Sequence, residues 1–87
     1  MIRSVDYYQN IVSNFIQEDL NQTKDLYQHE VNTLCYLKEI YGKVKSEFDI
    51  TVDDIDVLRY LDSMITQTQR NLYYYHLTDN KVSWVLQ

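Results

Sequence analysis

"DSMITQTQRN", residues 62–71, decides the fold. Read as helix, it joins the apolar positions on either side into one amphipathic element. Leu58, Leu61, Ile65, Thr68, Leu72 and Tyr75 then recur at alternating three- and four-residue spacing, which predicts one helix running to about residue 77. Read as a break, the same stretch is polar, carries β-branched Ile65, Thr66 and Thr68, and offers Thr66 and Gln69 as a capping box. Two shorter helices, roughly 52–61 and 67–77, then flank a turn.

The stretch just upstream is unambiguous. In "ITVDDI", residues 50–55, Thr51 can cap a helix and Asp53 and Asp54 fall in its first turn. Ile50 and Ile55 stand at the two positions of a hydrophobic staple. A helix therefore starts here under either reading.

Further upstream, Tyr27, Val31, Leu34, Leu37, Tyr41 and Val44 form a stripe close to the heptad period, widened by Leu26 and Ile40, with Thr23 as the expected cap. Gly42 divides two continuations. Either the helix runs on to about Glu47, or it stops at Tyr41 and Val44, Phe48 and Ile50 alternate as a short strand. Ahead of it, Ser4 caps a first helix in which Val5, Tyr8, Val12, Phe15 and Ile16 share a face, closing near Leu20. Residues 19–23 are the polar connection.

Downstream, "TDNK" (78–81) is turn-type and "VSWVLQ" (82–87) is β-branched and aromatic. The chain is therefore expected to turn after the third helix and return as a short extended arm or hairpin against the bundle. Tyr73, Tyr74 and Tyr75 spread over about 200° of a helix, so they cannot all face one core. Tyr75 continues the apolar stripe, which leaves Tyr73 or Tyr74 for something else to cover.

Composition favours helices. Among 87 residues there is no proline and one glycine, too few turn-formers for a sandwich, a barrel or a phosphate-cradling loop. A chain this short buries only about 60–65% of its unfolded surface, so its core is thin. The expected fold is mainly α, a single domain over 1–87, built as a small antiparallel three-helix bundle with that C-terminal arm. The alternative is a winged helix-turn-helix, with strands at 43–49 and 82–86.

Nothing in the sequence assembles a reaction. Cys35 lies mid-helix between Leu34 and Tyr36 and reads as a small semi-buried packing residue. His29 and His76 lie in different segments and read as solvated or locally hydrogen-bonded. No ligand pair is spaced for metal, and "DITVDDID" lacks the glycine and the terminal glutamate of a calcium loop. Neither an enzyme nor a cofactor is expected. With one cysteine, no apolar leader in "MIRSVDYYQN" and no apolar run longer than 34–37, the expectation is a cytoplasmic chain without a membrane span.

Net charge is −5, which opposes phosphate-driven binding to nucleic acid. The acids concentrate at Glu47, Asp49, Asp53, Asp54 and Asp56. Asp49, Asp53, Asp54 and Asp56 are therefore one candidate partner face, suited to a basic surface, and Tyr73, Tyr74 and Trp84 are the other. The expected function is a small acidic regulator or inhibitor that binds another protein and occludes a basic or nucleic-acid-binding surface. Phage- and mobile-element-encoded inhibitors are analogous in class. The surplus rings also admit a homodimer. Under the winged-helix alternative, Gln67, Gln69, Arg70 and Asn71 would contact DNA, although a single arginine and the nearby acids oppose it.

Overall fold

A computed structural model of the chain describes the backbone of residues 3–49 and 51–86, and the side chains of 3–49 and 51–75. Three helices make up the fold: α1 (Val5–Gln22), α2 (Leu26–Ser46) and α3 (Val52–Leu86). There is no strand among the described residues.

The 62–71 stretch is helical throughout, so α3 is continuous. Thr68 does not break the helix, because its hydroxyl is satisfied within it. Thr68 Oγ1 donates to the Met64 carbonyl at 2.8 Å, one turn back. Gln67 Nε2 donates to Asn71 Oδ1 at 3.2 Å along the same face. This corrects the winged-helix alternative, which needs a break here and strands on either side. The strand expected at 43–49 is also absent, because α2 runs through Gly42 to Ser46. Over 78–86 helix stands in place of the expected turn and arm, and Gln87 lies outside the described residues. The helix extends to Leu86, and no glycine or proline in this stretch interrupts it.

The helix ends follow local chemistry. Ser4 Oγ accepts from the Tyr7 N–H at 3.4 Å and opens α1. Thr23 closes α1 instead of opening α2, its N–H donating to the Asp19 carbonyl at 2.7 Å. Asp25 takes the opening role, its Oδ1 accepting from the Tyr27 N–H at 3.0 Å. Thr51 opens α3 as expected, its Oγ1 accepting from the Asp54 N–H at 3.1 Å. Ile50, the other half of the expected staple, lies outside the described residues.

The core is small and lies toward one end. Tyr8 and Val12 of α1, Leu37, Ile40 and Val44 of α2, and Val57 and Leu61 of α3 are its buried members. On α2 the buried face is His29, Thr33, Leu37, Ile40 and Val44, shifted around the helix from the expected stripe. The shift follows from α2 packing on both neighbours, so its most buried line falls between them. Val44 and Val57 flank the α2–α3 connection, whereas the buried residues farther from it are His29, Thr33 and Thr68. Among the buried side chains, those toward the α2–α3 connection are thus apolar apart from Asp54, and those toward the α1–α2 turn are polar.

Two predictions follow from this packing. A Cβ built at Gly42 meets nothing within 4 Å. Gly42→Ala is expected to raise stability by about 0.5–1 kcal/mol in urea denaturation, and a loss of stability would contradict the helical placement. Leu61→Ala, which empties part of a fully buried site, is expected to cost about 2–5 kcal/mol in the same assay. A cost under about 1 kcal/mol would mean that the core lies elsewhere.

Candidate interaction surface

The polar end is held by one carboxylate. Asp19, near the end of α1, lies 2.7 Å from His29 Nδ1 on α2. A carboxylate accepts, so this nitrogen carries the proton. Asn32 Nδ2 donates to Asp19 Oδ1 at 3.1 Å, and Thr23 Oγ1 donates to the same oxygen at 3.3 Å. Thr33 Oγ1 donates to the His29 carbonyl at 2.9 Å. Among the described residues no buried side-chain nitrogen or oxygen lacks a partner. The sequence reading missed this network, and its signal was modest: an acid and a histidine ten residues apart across a helix–helix turn.

On the far side of α2, Asn71 Nδ2 of α3 donates to Glu30 Oε2 at 3.5 Å. At the other end, Tyr41 of α2 and Phe48 of the α2–α3 connection border one groove with Ile55 and Leu58 of α3. Contacts between α2 and α3 therefore pair residues in opposite sequence order. Tyr27 lies one turn before Glu30 and Tyr74 one turn after Asn71, so both rings belong to the same end of the bundle. Tyr27 is 46% exposed, Tyr73 64% and Tyr74 67%. Leu20 and Leu26, flanking the α1–α2 turn, are exposed at this end as well.

These observations revise the candidate residues. Tyr27 and Leu26, expected in the core stripe, face solvent. Tyr73 and Tyr74 are both exposed, and Tyr75 is half-buried. Together with Thr66, Gln69 and Arg70, Tyr73 and Tyr74 border a shallow depression of about 460 Å³ on the outer side of α3. The side chains of Trp84 and His76 lie outside the described residues. Of the four residues assigned to DNA contact, Asn71 is tied to Glu30 and Gln67 is tied to Asn71, which leaves Gln69 and Arg70 exposed and unattached to that chain of bonds.

The acidic set divides. Asp54 is buried, and its Oδ2 accepts from the Asp49 N–H at 3.0 Å. Its own N–H is given to Thr51. Asp54 thus fastens the α2–α3 connection and is withdrawn from any partner face. Asp49, Asp53 and Asp56 stay exposed. Twenty residues of helix separate Asp53 from Tyr73, a distance of about 30 Å, so the acidic and aromatic candidates form two patches and not one.

Other chemistry is sparse. Among the described residues no three His, Cys, Asp or Glu side chains come together as metal ligands. Cys35 is exposed, not semi-buried as expected. No described helix is long and apolar enough to cross a membrane. Between α1 and α2, Tyr36 stacks on Phe15 with ring centroids 4.1 Å apart. Burial pushes the Tyr36 phenol above 10.0, helped by Tyr7 and then Glu39 and opposed by Lys43. Burial alone raises Tyr60. No family model matches the chain, and neither a curated protein nor a solved structure matches it significantly.

Asp19→Ala leaves the buried His29 N–H and the Asn32 amide without their acceptor. It is expected to lower stability by about 1–3 kcal/mol, measured by chemical denaturation. An effect within about 0.5 kcal/mol would rule out the network as a fastening. Folding favours the neutral phenols of Tyr36 and Tyr60, whereas the unfolded chain ionises them from pH 10.0 upward. Their stabilisation is complete below pH 10.0 and falls as pH rises through the raised values. Tyr60→Phe is expected to flatten the alkaline limb of a stability–pH curve, and an unchanged limb contradicts the assignment.

Proposed function

We propose that this chain is a small acidic, non-catalytic module that binds another protein and covers a basic or nucleic-acid-binding surface on it. The observation that carries this reading is the set of exposed rings Tyr27, Tyr73 and Tyr74 at one end of the bundle. A thin-cored chain gains stability by burying rings, so rings left wet on ordered helices suit a contact that something else completes.

Tyrosine fits that task. It brings a large apolar area with few rotatable bonds and keeps a hydroxyl for the wet rim. Arg70 stands beside Tyr73 and Tyr74 and can stack on an aromatic group or pair with a carboxylate of the partner. Asp49, Asp53 and Asp56, about 30 Å away along α3, contribute differently. Exposed charges at that range set orientation and association rate more than affinity, and they favour a basic partner. The mechanism is steric: the aromatic end anchors and the acidic end aligns the module across the partner's basic surface.

The test starts with affinity capture from the native host, followed by titration calorimetry with the purified captured protein. Tyr27→Ala/Tyr74→Ala is expected to weaken binding by roughly tenfold or more, with unchanged helical circular dichroism. Asp53→Lys/Asp56→Lys is expected to slow association mainly and to reduce its salt dependence. Full affinity in the tyrosine variant contradicts the proposed anchor. A captured partner without a basic surface contradicts the occlusion mechanism.

A further inference from the structure

Where the start of α1 meets the second half of α2, the seam between the two helices opens into a cleft of about 430 Å³. The cleft shares no residue with Tyr27, Tyr73, Tyr74 or the exposed acids Asp49, Asp53 and Asp56. Its floor is apolar: Ile40 and Val44 are buried, and Ile11 is half-buried. Tyr7 and Tyr36 wall it, one from each helix. Both rings are held in place by neighbours. Tyr7 meets the Tyr8 ring edge-on with centroids 5.2 Å apart, and Tyr36 stacks on Phe15. Rings already fixed lose little freedom when a ligand arrives. A cleft of this volume, apolar beneath and with a few convergent polar groups, has the make-up of a small-molecule site.

The charges around the cleft leave one cation over. Lys43 is paired with Glu39 at 3.4 Å, and Glu47 is also engaged. The Arg3 guanidinium lies 4.9 Å from the centre of the Tyr7 ring. Among the described residues Arg3 has no carboxylate partner, and neither phenol oxygen makes a hydrogen bond. Burial first, and Tyr7 next, raise the Tyr36 phenol above 10.0, so at neutral pH it keeps its proton and can donate.

One unpaired cation and two hydroxyl donors above an apolar floor suit a single oxyanion on a flat apolar body. A carboxylate matches both the one charge and the fork of the guanidinium. An aromatic body matches the ring walls. We propose that this cleft binds a small aromatic carboxylate, with its ring over Ile11, Ile40 and Val44 and its carboxylate held by Arg3 and the hydroxyls of Tyr7 and Tyr36. The site does not depend on the proposed partner, and either can fail without the other.

Amide NMR on the full chain, titrated with 2-naphthoate, tests the proposal. Saturable shifts are expected around residues 3–11 and 36–47, with a Kd of roughly millimolar, as suits a ligand of this size. 2-Naphthamide keeps the ring without the charge, and acetate keeps the charge without the ring. Each is expected to bind at least about tenfold more weakly. Arg3 is exposed ahead of α1, so Arg3→Gln leaves the core intact and is expected to weaken 2-naphthoate by roughly tenfold. Arg59→Gln removes the same charge from α3 and is expected to leave binding unchanged. Circular dichroism verifies that both variants stay helical. Absence of saturable shifts overturns the proposal, as do shifts centred on Tyr73 and Tyr74. Equal binding of 2-naphthamide or acetate, full affinity in Arg3→Gln, or an equal loss in Arg59→Gln overturns it too.

Discussion

The packing of Leu37, Ile40 and Val44 on α2 against Val57 and Leu61 on α3 is what the rest of the molecule depends on. These side chains sit beside a short connection, so closing the α2–α3 hairpin costs little chain entropy for the apolar surface it removes. The connection is fastened from within: Thr51 caps α3, and Asp54 reaches back to the Asp49 N–H. With that hairpin formed, α1 needs only to lay Tyr8 and Val12 into the remaining apolar face. α1 has the smaller contacts with both other helices, in keeping with its role as a cover.

A core placed at one end forces the other end to be held differently. At the α1–α2 turn, apolar residues are replaced by His29, Thr33 and Thr68, and Asp19 gathers the donors of His29, Asn32 and Thr23. Hydrogen bonds contribute less net stability than the same area of apolar burial, but they specify geometry tightly. This end therefore keeps α1 and α2 in register without consuming the nearby rings. Tyr27, Tyr73 and Tyr74 remain wet on the outer faces of their helices. On the proposed function, the same division separates the work: one end holds the fold and the other is left for recognition.

Much of the fold was legible in the sequence. The helix start at Thr51, the cap at Ser4 and the α3 stripe through Leu61, Thr68 and Tyr75 all follow from spacing and capping chemistry, and the structure has them. The open alternatives and the misplaced residues lay where a local signal met tertiary packing. Thr66 and Thr68 resemble turn formers, but inside a packed helix a threonine hydroxyl can bond one turn back and leave the helix intact. Gly42 resembles a stop, but it sits in open space on a helix held by Ile40 and Val44. The α2 stripe shifted because a helix between two neighbours buries a line that period alone does not specify. For the candidate surfaces, the exposure of Tyr73 or Tyr74 was readable from three adjacent rings on one helix. The withdrawal of Asp54 and the exposure of Tyr27 were not, because each depends on where the neighbouring backbone lies.

The most direct test of this division is amide hydrogen–deuterium exchange on the free protein and on the protein saturated with its captured partner. In the free protein, the slowest amides are expected at 37–44 and 57–61, with faster exchange around 26–33 and 69–75. On binding, new protection is expected at that faster end, around Tyr27 and Tyr73–Tyr74. Uniform protection in the free protein, or new protection confined to the outer face of α1, would contradict the account.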